Sequence, residues 1–204
     1  METTYLTVFG DSIGWGAWDR DKGGWVNRLR LFFDNTNPSV EVYNCSIDGD
    51  TTADVIKHFT VEARSRLSTV VVFDVGVNDT LSTTLRGKPK VSLPAFIKNI
   101  ETLTAKTRNL DALPIFIGLM KGDERKTLPV SWGSYYYSNK RIQHYDEALK
   151  ETCRVRRIHY IKAASLTTRD LDDGLHPNAR GHEKIFQHVK HHLFENNVIK
   201  LRNA

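Results

Sequence analysis

Four short stretches of this chain hold side chains that could do chemistry together. Gly10-Asp11-Ser12-Ile13 brings a hydroxyl, Gly49 an unhindered backbone amide, and Gly76-Val77-Asn78-Asp79 a carboxamide. Asp173-Gly174-Leu175-His176-Pro177 brings an acid and an imidazole. These are the parts that acyl transfer needs. A serine hydroxyl is a weak nucleophile until a base removes its proton. An imidazole can take that proton and return it, provided an acceptor on its other nitrogen fixes the tautomer. Asp173 lies three residues before His176, and a tight turn at Gly174 would fold the carboxylate back onto the ring. The charge that develops on the carbonyl oxygen needs donors already in place, each worth roughly 3–4 kcal/mol. The amides of Ser12 and Gly49 and the side chain of Asn78 are the candidates.

Each residue alone has an ordinary alternative. Ser12 could cap a helix, Gly49 could belong to any turn, Asn78-Asp79 could be a capping pair, and Asp173 could close an Asx-turn. Their joint placement along the chain weakens those alternatives taken together. Residues 5–9, 40–44, 69–75, 114–119 and 157–161 read as strands. The stretch 69–75 is nearly all β-branched and apolar, as a strand buried on both faces should be. Between them, Trp25, Leu29, Phe32 and Phe33 recur at helical spacing, and 51–66, 94–108, 140–153 and 178–195 read as helices. Five strands, each followed by a helix, predict a parallel sheet covered on both faces, a three-layer α/β/α sandwich in a single domain over 1–204. Ligands of such sheets bind beyond the carboxyl ends of the strands, and all four stretches fall there.

In order and spacing, the four blocks resemble those of the SGNH hydrolases, also called the GDSL esterase/lipase family. The resemblance spans positions 10 to 177. It implies a flavodoxin-like fold with five parallel strands. It implies Ser12 as nucleophile, His176 as base and Asp173 as its partner. Asp172 is the competing acid, and the family spacing favours Asp173. The resemblance also implies Ser12, Gly49 and Asn78 as oxyanion donors, with no metal and no organic cofactor. Two features depart from the family pattern: Ile13 replaces the usual leucine, and Ser46 and Asp48 stand before Gly49 where small residues are more usual. The expected activity is hydrolysis of a small-molecule acyl ester through an acyl-serine intermediate. A thioesterase, a transacylase and a non-catalytic ligand-binding domain are the alternatives.

Other residues are weighed against this frame. Asp11 and Asp79 read as carboxylates that hold their loops; Trp15, Trp18, Trp132, Tyr135, Tyr136 and Tyr137 could line an acyl or sugar pocket, and Asp11, Trp15, Trp132 and Tyr135 are carried as candidate substrate contacts. Asp170 and Asp172 read as solvated loop residues, and His182, His188, His191 and His192 as a solvated helix surface rather than a zinc site. The stretch 121–138 breaks the strand–helix rhythm as a long connection after the fourth strand. Cys45 and Cys153 form neither a metal motif nor a disulfide framework. The net charge of +5 comes with no nucleic-acid motif, and Lys150, Arg154, Arg156, Arg157, Lys162 and Arg169 read as a mildly basic surface. No apolar run approaches the ~20 residues of a membrane span. The first residues, Met1-Glu2-Thr3-Thr4, lack a basic segment and a cleavage site, so a cytoplasmic protein is expected. Oligomeric state cannot be read from the sequence. A nucleotide-binding loop is missing after the first strand.

Overall fold

The computed structural model describes residues 3–199. Five strands, β1 (Thr4–Gly10), β2 (Val40–Asn44), β3 (Val70–Asp74), β4 (Leu113–Ile117) and β5 (His159–Ile161), form one parallel sheet in the order β2-β1-β3-β4-β5. The expected α/β/α sandwich is therefore the observed fold. Successive side chains of a strand face opposite sides of the sheet. Leu6, Val8, Val70, Val72, Ile115 and Ile117 accordingly enter one core, while Phe9, Val71, Phe73 and Phe116 enter the other. Phe73 and Phe116 stack with ring centres 4.6 Å apart across adjacent strands.

The first core is closed by α2 (Gly24–Thr36) and α7 (Ala179–Glu195), through Trp25, Leu29 and Phe33 on one helix and Ile185, Val189 and Leu193 on the other. The second is closed by α3 (Thr52–Ser65), α4 (Leu93–Arg108) and α6 (Asn139–Arg156). Helix starts follow local chemistry. Thr51 and Asp54 make a reciprocal capping box at α3, and Asn78 and Asn178 head a 3-10 turn and α7 respectively. Strand order reverses between β1 and its neighbours β2 and β3, which opens a crevice at the carboxyl edge.

Two expectations about polar residues are corrected. Asp170 is fully buried and not solvated: it accepts from Thr167 and pairs with Arg180 at 3.0 Å and Lys184 at 2.7 Å. His182 is also fully buried. Its Nδ1 accepts from the Trp25 amide at 3.2 Å and its Nε2 donates to the Ala17 carbonyl at 3.0 Å, tying α7 to α2 and to the loop after β1. Burial holds its pKa below the ordinary histidine value, which suits this neutral, one-donor arrangement. On the outer face of α7, His188 donates to the Lys162 carbonyl at 2.8 Å and His192 meets His159 edge-on. Both cysteines are buried thiols, and burial raises both. Among the described residues no helix is long and apolar enough to cross a membrane.

Candidate active site

β1 delivers Ser12. The strand ends at Gly10, and Asp11 caps the single turn α1 (Ser12–Trp15) by accepting from the Ile13 amide at 3.0 Å. Asp11 is thus turned inward and is 2 % exposed. It lies under the serine turn beside Asp74, whose Oδ2 accepts from the Trp25 indole at 2.8 Å. Burial first, and then mutual repulsion with Asp74, holds the Asp11 carboxyl well above the usual range. Asp11 does not line the cavity beside Ser12, which corrects its placement as a substrate contact. Trp15 is corrected as well. It is exposed on the β2 side of α1 and borders a separate hollow with Tyr43 and Arg30. The left-handed residue Gly16 ends α1 and turns the chain back, so the indole that reaches the site belongs to Trp18.

The stretch after β5 delivers the acid and the imidazole. Gly174 has φ +96°, a conformation that favours glycine and lets the chain turn back sharply. In that turn Asp173 Oδ1 accepts from the amides of Leu175 at 2.9 Å and His176 at 2.8 Å. Asp173 Oδ2 lies 2.7 Å from His176 Nδ1, and His176 Nε2 lies 2.9 Å from Ser12 Oγ. Burial raises the Asp173 pKa, but the hydrogen bonds from His176 and from the turn outweigh it and hold the carboxyl at about 2. The acid is therefore ionised at neutral pH. A further donor, absent from the sequence-based assignment, completes its shell: Trp18 Nε1 donates to Oδ2 at 2.7 Å. Trp18 also meets the His176 ring edge-on at 6.3 Å, and Trp132 lies against the same ring at 5.4 Å. Trp18 sits at φ +63° in a loop held by Asp19, which accepts from the Gly24 amide and pairs with Arg28 at 2.9 Å.

The loops after β2 and β3 bring Gly49 and Asn78 to the same cavity, about 490 Å³ in volume, that Ser12 and His176 border. Gly49 has φ +79°, and a Cβ there would meet nothing within 4 Å, so backbone conformation rather than crowding calls for glycine. The Asn78 amide nitrogen donates to the Asp50 carbonyl at 3.0 Å, which leaves one N–H unspent. Its oxygen accepts from the Tyr137 hydroxyl at 2.9 Å. Tyr137 is buried and its pKa is pushed up by burial, so the phenol remains a donor. Together Asp50 and Tyr137 fix which way the amide faces. Asp79 turns away from the cavity and accepts from the Thr52 amide at 3.0 Å and from the Thr52 hydroxyl, which locks this loop onto the start of α3. Burial raises its pKa to about 6 against those two hydrogen bonds.

The stretch 121–138 is a wall of the cavity. It contains the short helix α5 (Glu124–Thr127), bonds to the Asp173 turn through Asp123 N and Gly174 O at 2.7 Å, and pairs at Tyr136 with Ser82. It places Trp132, Tyr135 and Tyr137 along the cavity. Tyr137 and Trp18, expected only as aromatics lining a pocket, are hydrogen-bond donors to Asn78 and Asp173. Each acts through a partner 59 or 155 residues away, and no local pattern signals either contact. Among the described residues no three metal-ligating side chains cluster.

A three-layer α/β/α sandwich with a serine, an imidazole and a carboxylate in line at the carboxyl edge is the architecture of an acyl-ester hydrolase. A model of the GDSL-like Lipase/Acylhydrolase family matches residues 8–184, and the chain belongs to that family of carboxylic ester hydrolases. A search of curated protein sequences gives no match. Among solved structures the chain is similar to the lipase/acylhydrolase from Enterococcus faecalis, with 21 % identity over 99 % of this chain and 100 % of that one and a TM-score of 0.80. It is similar to the psychrotrophic esterase EstA from Pseudoalteromonas sp. (16 % identity, 96 % and 100 % covered, TM-score 0.76). It is also similar to the acetylxylan esterase Axe2 from Geobacillus stearothermophilus (18 % identity, 94 % of each chain covered, TM-score 0.71). At these identities the structures attest the shared fold.

Proposed function

We propose that the protein hydrolyses esters of short acyl groups through a covalent acyl-serine intermediate. The observation that carries this reading is the continuous line of hydrogen bonds from Ser12 Oγ through both nitrogens of His176 to Asp173, at 2.9 and 2.7 Å. With Nδ1–H donating to the ionised carboxylate, Nε2 is left to accept the serine proton. Ser12 Oγ attacks the ester carbonyl, and the charge on its oxygen is met by the amides of Ser12 and Gly49 and the free N–H of Asn78. His176 then gives its proton to the departing alcohol, and water repeats the sequence on the acyl-serine. The structure of Axe2 was solved in catalytic mutants that replace a serine, an aspartate and a histidine, and that set of residue types supports the same roles here.

Acyl length follows from the cavity lining. Among the described residues Leu81 is its only aliphatic side chain; the rest is hydroxyl, amide, charge and aromatic ring. A long alkyl chain gains about 0.8 kcal/mol for each CH₂ it buries, and here it would find only Leu81 and the faces of three aromatic rings among hydroxyl, amide and charged groups. Across nitrophenyl esters of rising acyl length, kcat/KM should be highest for the shortest acyl groups and fall for long ones. Ser12→Ala should lose at least about 10³-fold. Rising rates with chain length would exclude the short-acyl preference, and full activity in Ser12→Ala would remove the mechanism.

A further inference from the structure

The cavity beside Ser12 carries charge that acyl transfer itself does not use. After the Asn78 turn the chain runs through 81–91 along the outer wall, where Lys88 and Lys90 flank Pro89 and both line the cavity. The backbone that bears them is tied down. Lys90 N donates to Leu81 O at 2.7 Å and Val91 N to Asp79 O at 3.1 Å. Arg141 donates to the carbonyls of Thr80 and Gly87 at 2.9 Å each, and the Tyr145 hydroxyl to Val91 O at 2.6 Å. The two ammonium groups thus stand on a fixed support while their tips reach solvent. Among the described residues the lysines that form ion pairs are Lys57 and Lys184, so neither cavity lysine is neutralised by a partner. Lys90 Nζ lies 3.5 Å from the Gly49 carbonyl, directly beside the loop that offers an oxyanion donor. Among the described residues the one acid on the lining is Asp48, exposed on the same loop, and the Asp173 carboxylate lies behind His176 and is bonded to it, so the unpaired positive charge is gathered at Lys88 and Lys90. Adjacent unpaired charges of one sign on a cavity wall attract ligands of the opposite sign.

We infer that the ester this site cleaves carries an anionic group, a carboxylate, sulfate or phosphate, on its alcohol part, held by Lys88 and Lys90. The inference rests on the esterase reading above. A short acyl group is too small to carry charge out to the lysines, which assigns the anion to the alcohol. Trp132 and Tyr135, which line the same cavity, offer flat faces to the ring or chain that bears it.

The test compares 4-acetoxybenzoate with its neutral methyl ester, in the wild type and in Lys88→Met/Lys90→Met. The ratio of kcat/KM, anionic over neutral ester, should fall about tenfold in the variant, and in the wild type it should also fall as salt is added. Because both esters meet the same folded sample, a loss of folded protein cancels in the ratio, and the single variants should each produce part of the fall. A ratio that is equal in wild type and variant overturns the inference and leaves the esterase reading standing. Failure of the wild type to cleave either ester removes the esterase reading, and the inference with it.

Discussion

Tyr137→Phe removes one hydroxyl and tests how the Asn78 amide is aimed. Tyr137 is 5 % exposed, and its O–H donates to Asn78 Oδ1 at 2.9 Å. The net worth of such a buried bond is about 1 kcal/mol, or roughly fivefold in rate if it is expressed wholly in the transition state. The loss stops there because a flipped Asn78 would set its oxygen against the Asp50 carbonyl, which now accepts from Nδ2 at 3.0 Å. One restraint on the amide therefore survives. Asn78→Ala removes the donor altogether and should cost on the order of 10²–10³ in kcat. The decisive comparison is the double variant Tyr137→Phe/Asn78→Ala, read by kcat and KM on a short-acyl ester. If the phenol acts through the amide, the double variant should be no slower than Asn78→Ala alone. A double variant slower by the full product of the two single effects would refute the positioning role, and a rise in KM with constant kcat would assign Tyr137 to ground-state binding.

Further outcomes follow from the same contacts. Trp18→Phe keeps the ring against His176 but deletes the N–H to Asp173 Oδ2, so the carboxylate has more of its charge left for the imidazolium. The acid limb of the kcat/KM profile should move to higher pH, whereas an unmoved limb would reduce Trp18 to a packing residue. Stability should depend on pH in two opposite ways. Burial holds Asp79 at about 6, and burial with mutual repulsion holds the adjoining pair Asp74 and Asp11 above the ordinary 3.8, so the stability these groups contribute is complete below about 4 and is lost as pH rises through their folded-state values. For Asp79, which is fully buried, this amounts to roughly 3 kcal/mol. Asp173 and Asp170, held at about 2, contribute stability that is present above the ordinary carboxylate range and lost as pH falls toward 2. Denaturant midpoints should therefore peak in mild acid, and Asp74→Asn should flatten the decline between about 4 and 6. An unchanged slope in Asp74→Asn would contradict the assignment.

How much of the site is legible in the sequence depends on whether its contacts are local or distant. The strands were readable because a parallel strand buried on both faces leaves an unbroken apolar run such as 70–73. Residues that follow strand ends then share an edge by topology alone, which is why Ser12, Gly49, Asn78 and His176 could be grouped without coordinates. The Asp173–His176 pair was readable because its turn is local and Gly174 announces it. Tyr137 and Trp18 were not recognisable as positioning residues, since their partners are brought near only by the finished fold. Nor could spacing tell Trp15 from Trp18. The left-handed step at Gly16 sends one indole to the β2 side and the other onto the acid, and that step follows from packing of Gly16 on Gly24, where a Cβ on either residue would fall 2.4 Å from backbone. Asp11 was misplaced as a substrate contact for a related reason. A residue just before a nucleophile is near the substrate in sequence, but as a helix cap its side chain points back into the protein. His182 and Asp170 looked solvated because polar residues usually are, and here each is buried: His182 bonds to Trp25 and Ala17, and Asp170 accepts from the Thr167 cap of its own turn and pairs with Arg180 and Lys184 of α7.

The most direct measurement of whether the serine is activated is the site of covalent labelling by a fluorophosphonate, mapped by peptide mass spectrometry in the wild type, Ser12→Ala and His176→Ala. Ser12 should carry the adduct in the wild type, should label far more slowly once His176 is lost, and the Ser12→Ala protein should carry none. Undiminished ester hydrolysis by a protein whose Ser12 takes up no label would contradict it.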